Sequence, residues 1–166
     1  MLHRISLMTL FIGSLAAGVA QASTTGIAER KDLTLALGNQ LVEATLSACH
    51  AQDRKAVVAV VDRSGHLIAL QRDDEIGPHN TLAAQRKAFT ALSTKIATSE
   101  LATRAQGDPS SANLNTIDEL LLLGGGVPVL VDGQVIGALG VAGAGGSSID
   151  EGCAHSAIKQ LIQPSK

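Results

Sequence analysis

The chain has 166 residues, 45% of them hydrophobic and 17% charged, with 13 basic against 15 acidic side chains and a formal net charge of −2. This is the composition of an ordinary globular domain, and it excludes a disordered, collagen-like or coiled-coil chain. With no basic excess, no Trp or Tyr and only two Phe, the chain also lacks the phosphate-neutralising charge and stacking rings that a nucleic-acid partner requires.

Residues 1–22 stand apart from the rest. His3 and Arg4 precede an apolar run from Ile5 to Ala17, and Val19-Ala20-Gln21-Ala22 has the small-residue form of a cleavage site, so a secretory signal is expected there. The run is shorter than the roughly 20 residues a bilayer span needs. The sequence therefore predicts export to the periplasm or the exterior, with no membrane anchor, and a single domain over residues 23–166. Loss of the signal would remove both Met residues and Phe11, leaving Phe89 as the only aromatic side chain.

Asp32 to Gln52 reads as a helix, with Leu35, Val42, Leu46 and Cys49 on one face at 100° per residue. Ala56 to Asp62 is a β-branched run apolar on both faces, and Arg63-Ser64-Gly65-His66 turns the chain into Leu67 to Gln71, which predicts an antiparallel hairpin. A polar loop from Arg72 to His79 leads to a second helix, capped by Asn80 or Thr81 and ending near Lys95. Its apolar edge is Leu82, Phe89 and Leu92. On the other side Ala84, Ala88 and Ala91 form a smooth strip that a backbone, a subunit or a flat ligand can approach. A short third helix starts at Thr98 or Ser99 and stops at Gly107-Asp108-Pro109, and Ser110 to Asn115 reads as a surface loop.

Strand pattern returns at Leu120 to Leu123, Val127 to Val131 and Gln134 to Val141. The Asp132-Gly133 pair between the last two is a strong hairpin signal, because a type I′ turn needs positive φ at both central residues. Ser148-Ile149-Asp150-Glu151 then has the form of a capping box opening a final helix, whose inward stripe carries Cys153, Ala154, Ala157, Ile158 and Leu161. The order predicts an α+β fold: one domain with a mainly antiparallel five-stranded sheet flanked by helices. Cys49 and Cys153 both face inward, which suits two buried thiols packed as small apolar residues, or a disulfide if the chain enters an oxidising compartment.

Few arrangements point to chemistry. The glycine clusters at 124–126 and 143–146 match neither a P-loop nor a dinucleotide fingerprint, although the amides ahead of the last helix are placed to hold a small anion or a carboxylate. No histidine pair has the i, i+4 spacing of a zinc helix, and no metal site is expected. No G-x-S-x-G elbow is present, so no catalytic residues are assigned. Asp150 and Glu151 are accounted for by helix capping. His79 stands in a Gly-Pro loop at the mouth of the second helix, where it reaches outward toward a ligand or is simply solvated, while Lys87 and Thr90 share a sector beside Ala83 that either binds an acidic group or is a solvated helix face.

Three stretches carry a family resemblance: GGGVPVLVDGQVIGALGVAGAGG with DEGCA (Gly124 to Ala154), VVDRSGHLIAL (Val60 to Leu70), and GPH with KAFTA (Gly77 to His79 and Lys87 to Ala91). In these the chain resembles the GlcG/HbpS family of small haem-binding proteins, which includes the C-terminal domain of PduO corrinoid adenosyltransferases. The resemblance implies a sheet flanked by helices, assembly into homo-oligomers, and haem as the ligand, with Thr90 at the family's haem-contacting threonine. His79, Lys87 and Ala83 join it as candidate ligand-binding residues from the local reading. With one aromatic ring, a deep aromatic haem pocket is excluded, and a ring would lie on an apolar surface. The expected function is an exported haem- or tetrapyrrole-binding protein without catalysis, a carrier or sensor accessory. The alternative is an enzyme or accessory factor acting on a small organic acid such as a glycolate-like carboxylate.

Overall fold

The chain order of elements follows the hydrophobic patterning closely. A computed structural model describes residues 26–162, so the expected signal at 1–22 lies outside the described residues. Helix α1 (Leu35–His50) starts where the Thr34 hydroxyl accepts a hydrogen bond from the Leu37 N–H, and it buries Gly38, Leu41, Val42, Thr45, Leu46 and Cys49. Leu35, at the edge of that stripe in the first turn, is exposed. Strands β1 (Val57–Asp62) and β2 (Leu67–Arg72) form the first hairpin, and β3 (Gly126–Val131) and β4 (Gln134–Ala142) the second. Asp132 and Gly133 have φ of 49° and 73°, the conformation the turn requires.

The two hairpins join through β1 and β4, giving a fully antiparallel sheet of order β2-β1-β4-β3. It has four strands, not the five expected. Leu120 to Leu123 is irregular because its backbone is held by side chains instead of a ladder. The Leu121 N–H donates to Thr90 Oγ1, the Leu120 carbonyl accepts from Arg86, and the Leu123 carbonyl accepts from the Thr98 hydroxyl. A short helix α4 (Pro109–Ala112) and a 3-10 turn at Asn113–Thr116 occupy the stretch expected to be loop.

Side chains of β1 alternate between two different packing layers. Val58 and Val60 face α1 and α5 (Ser147–Leu161) in a core with Leu41, Val42, Leu139 and Val141. Val57, Ala59 and Val61 face α2 (His79–Thr94) across a layer built almost wholly of alanine. There α2 lies almost on the sheet: a Cβ added to Gly140 would sit 1.9 Å from the Ala84 carbonyl oxygen and 2.6 Å from the Ala88 nitrogen. Ala84, Ala88 and Ala91 are fully buried in this contact. Of the three occupants the alanine strip could take, a backbone, a subunit or a flat ligand, it is the backbone of the protein's own sheet that fills it, and the larger edge residue Leu82 is 60% exposed. Helix α3 (Thr98–Gly107) completes this side.

Cys49 of α1 and Cys153 of α5 form a disulfide, both residues fully buried, with Cα atoms 5.3 Å apart. The expected capping box is absent. Gly146 is the N-cap of α5, without a side-chain bond, and the Glu151 carboxylate instead accepts from the Ser99 N–H. No helix among the described residues is long and apolar enough to cross a membrane.

Candidate functional site

Helix α2 organises the site, since its alanine face is fixed to the sheet and its two flanks border different grooves. On one flank His79, Asn80, Ala83 and Lys87 follow one another along the helix, facing Gly143, Gly145, Gly146, Ser147 and Asp150 across a groove of about 380 Å³. The spacing of 79, 83 and 87 is i, i+4, i+8, which places them in one row. His79 is exposed at the rim, with its ring over Gly77, and has no hydrogen-bond partner among the described residues. Ala83 supplies the apolar middle of the row.

Lys87 lies at the floor. Its side chain is 3% exposed, and its Nζ donates to Asp150 Oδ2 at 2.8 Å and to the Val141 carbonyl at 2.9 Å. Asp150 is 4% exposed, and its Oδ1 accepts from the Ala144 N–H at 2.9 Å. A buried charge is tolerated only when paired and hydrogen-bonded, and each of these ions is both. The acidic partner of Lys87 therefore belongs to the same chain, and Thr90 takes no part in the pair.

Thr90 is not part of the groove. It is fully buried; its hydroxyl donates to the Arg86 carbonyl at 2.7 Å and accepts from the Leu121 N–H at 2.8 Å. Its visible role is to tie segment 120–123 to α2. Of the four candidate residues, the structure thus brings His79, Ala83 and Lys87 to one groove and leaves Thr90 behind it. Sequence reasoning singled out the 143–146 glycines but not that they face α2, and it missed the pairing of Asp150. Asp150 was hidden by a local spacing that imitates a capping box, and its partner lies 63 positions away.

On the opposite flank of α2, Leu82 and Phe89 with Leu67 surround Val61 in a second open cleft of about 380 Å³. Arg86 and Asp118 stand at one end. Arg86 donates to the Leu120 carbonyl, and its buried Nε has no acceptor among the described residues. The β1–β2 turn that borders this cleft is held by Asp62. Burial alone would raise the Asp62 carboxyl, but the backbone N–H groups of His66 and Ser64 and the His66 ring outweigh it and hold the group below the usual carboxylate range. Among the described residues no three His, Cys, Asp or Glu side chains converge to hold a metal ion.

A family model described as haem degrading protein HbpS-like matches residues 33–159, most of the chain. The chain belongs to the HbpS-like family. It is 36% identical over 110 residues to protein GlcG of Escherichia coli, covering 64% of this chain and 81% of that protein. Among solved structures it is similar to a double mutant of HbpS from Streptomyces reticuli, with a TM-score of 0.78 and 36% identity over 88% of this chain and 98% of that one. It is also similar to a PduOC:heme complex, with a TM-score of 0.68 and 28% identity over 76% of this chain and 92% of that one. The HbpS-like region covers every element from the end of the N-terminal approach to α5, and so includes both walls of the His79 groove.

Proposed function

We propose that this HbpS-like chain is an exported haem- or tetrapyrrole-binding protein, a carrier or sensor accessory that acts as a homo-oligomer and does not transform its ligand. The observation that carries the reading is the groove beside α2. It holds an imidazole without a partner at its rim, an alanine in its middle, and a facing wall of glycines that offers backbone where other residues would place side chains. The chain's similarity to a protein solved with heme supports the same ligand. The residues fit the group. His79 is an imidazole donor, and no Met or Tyr follows residue 22 to compete with it. Ala83 and Leu123 would offer apolar lining to such a ring, and the Lys87–Asp150 pair adds no net charge to the groove. Bound haem would supply an iron centre open to coordination by that imidazole.

Assembly is supported by the second cleft, where Leu67 and Leu82, 45% and 60% exposed, sit with Phe89 on one apolar surface. Export is supported by the signal pattern of residues 1–22 and by the buried disulfide, which belongs to oxidising compartments.

Titration with hemin tests the reading, and the near absence of aromatic side chains leaves the spectrum to the ligand. A saturable Soret shift that His79→Ala abolishes is expected. A Soret band identical to free hemin at micromolar protein would remove the haem assignment. Decay of the bound band under ascorbate in air would overturn the non-catalytic part alone.

A further inference from the structure

A third pocket, of about 280 Å³, lies at the end of α2 remote from His79, between the β1–β2 turn and the start of β4. Its floor is apolar, with Phe89, Leu92 and Val135 each half-buried. Gly65 of the turn packs on the Phe89 ring. A Cβ there would come within 2.9 Å of Phe89 Cε2, so the missing side chain is what lets the ring stand in this position. Two cations border the floor, Arg63 from the turn and Lys95 from the end of α2, and no acidic side chain among the described residues lines it.

Arg63 is anchored through one nitrogen. Its Nη1 donates to the Lys31 carbonyl at 3.3 Å and to the Val135 carbonyl at 3.2 Å. The guanidinium has five N–H bonds, and those on Nε and Nη2 have no acceptor among the described residues. The carboxylates nearest in the chain are already engaged. Asp32 accepts from the backbone N–H groups of Leu33 and Arg63, and Asp62 from those of Ser64 and His66 and from the His66 ring. Neither Arg63 nor Lys95 has a carboxylate partner among the described residues. Lys95 sits at φ 61°, a left-handed position that helix ends usually give to glycine. An ammonium is thus set beside the pocket where a smaller residue would relieve the backbone.

We infer that this pocket binds a small monocarboxylic acid with an apolar, ring-sized body. The carboxylate takes the Nε–Nη2 edge of Arg63 in two parallel bonds, Lys95 adds a second positive charge, and the body covers Phe89, Leu92 and Val135. A cation would meet two like charges here. A neutral ring would leave the guanidinium edge without an acceptor, and an acid lacking an apolar body would leave the floor in water. The site is separate from the His79 groove and does not depend on the haem reading.

Sodium benzoate is the probe, titrated into the ¹⁵N-labelled full chain, with sodium chloride at matched ionic strength and benzyl alcohol as references. Benzoate should give a saturable shift of the Arg63 Nε–H signal and nuclear Overhauser contacts to the Phe89 ring, and neither reference should move that signal. Arg63→Lys keeps the charge and loses the fork, so it should bind benzoate about tenfold more weakly. Because Arg63 also holds two carbonyls, a second variant leaves it in place. Lys95→Asn suits the left-handed position and should weaken benzoate about threefold, a difference that vanishes at high salt. An unmoved Nε–H signal, or the same shift with benzyl alcohol, would overturn the site. So would wild-type affinity in Arg63→Lys, or in Lys95→Asn should Arg63→Lys not fold. The His79-dependent Soret shift is read in another groove, so each of these results leaves the haem reading as it stands.

Discussion

Lys87 and Asp150 show how a residue's chemistry depends on its buried partner. Removing one member strands the other charge away from water, so Lys87→Met or Asp150→Asn should destabilise the protein by about 3–5 kcal/mol, measured by urea unfolding. The double variant Lys87→Met with Asp150→Leu should recover much of that loss, since an apolar pair of similar volume carries no stranded charge. Asp62 makes a different prediction, set by pH. Its folded carboxyl titrates below the unfolded one, so its contribution is present above the unfolded value and is lost as pH falls through the folded value. Between about pH 5 and pH 2 the wild type should therefore lose more stability than Asp62→Asn; equal losses would show that the turn does not depend on this carboxylate. At this scale the sequence placed Lys87 beside Ala83 but grouped it with Thr90 and left His79 in the preceding loop, whereas the structure starts α2 at His79 and puts His79, Ala83 and Lys87 in one row without Thr90. The sequence concealed Asp150, whose assignment needs the position of a second helix.

Helix α2 lies so close to the sheet that its facing residues must be small. Ala84, Ala88 and Ala91 meet β4 where Gly140 has no side chain, and a methyl there would overlap the α2 backbone. Gly140→Ala should cost at least about 1–3 kcal/mol, the range for overpacking, seen as a lower urea midpoint, and should displace α2 from both groove walls. A wild-type midpoint would show that the helix can move away without loss. The same contact explains which elements were legible. Both hairpins were, since turn chemistry at Asp132-Gly133 and β-branched runs act over a few residues. The buried face of α2 was not. Hydrophobic periodicity assigns the core to the larger side chains Leu82, Phe89 and Leu92, but here proximity to glycine selects alanine instead. Segment 120–123 failed for a related reason: its leucines have strand character, yet Thr90, Arg86 and Thr98 satisfy its backbone before a fifth strand can form.

For the whole molecule, the four-stranded sheet separates a large-residue core, under α1 and α5, from an alanine layer under α2. The Cys49–Cys153 bridge joins the two helices of the first side across 104 positions. Closing so long a loop removes much unfolded-state freedom, so Cys49→Ser with Cys153→Ser should lower stability by about 2–5 kcal/mol, read from denaturant unfolding. An unchanged unfolding curve would show that the helical core alone fixes α1 against α5. Such a layout holds one side rigid and leaves both flanks of α2 open, one polar and glycine-walled, the other apolar. The account places the ligand on the first. Zinc protoporphyrin, which is diamagnetic, reports position directly through ring-current shifts in a methyl and amide NMR spectrum of the isotope-labelled protein. The account predicts the largest shifts at the Ala83 methyl and the amides of Gly143, Gly145 and Gly146. Shifts centred on Leu67, Leu82 and Phe89 would contradict it.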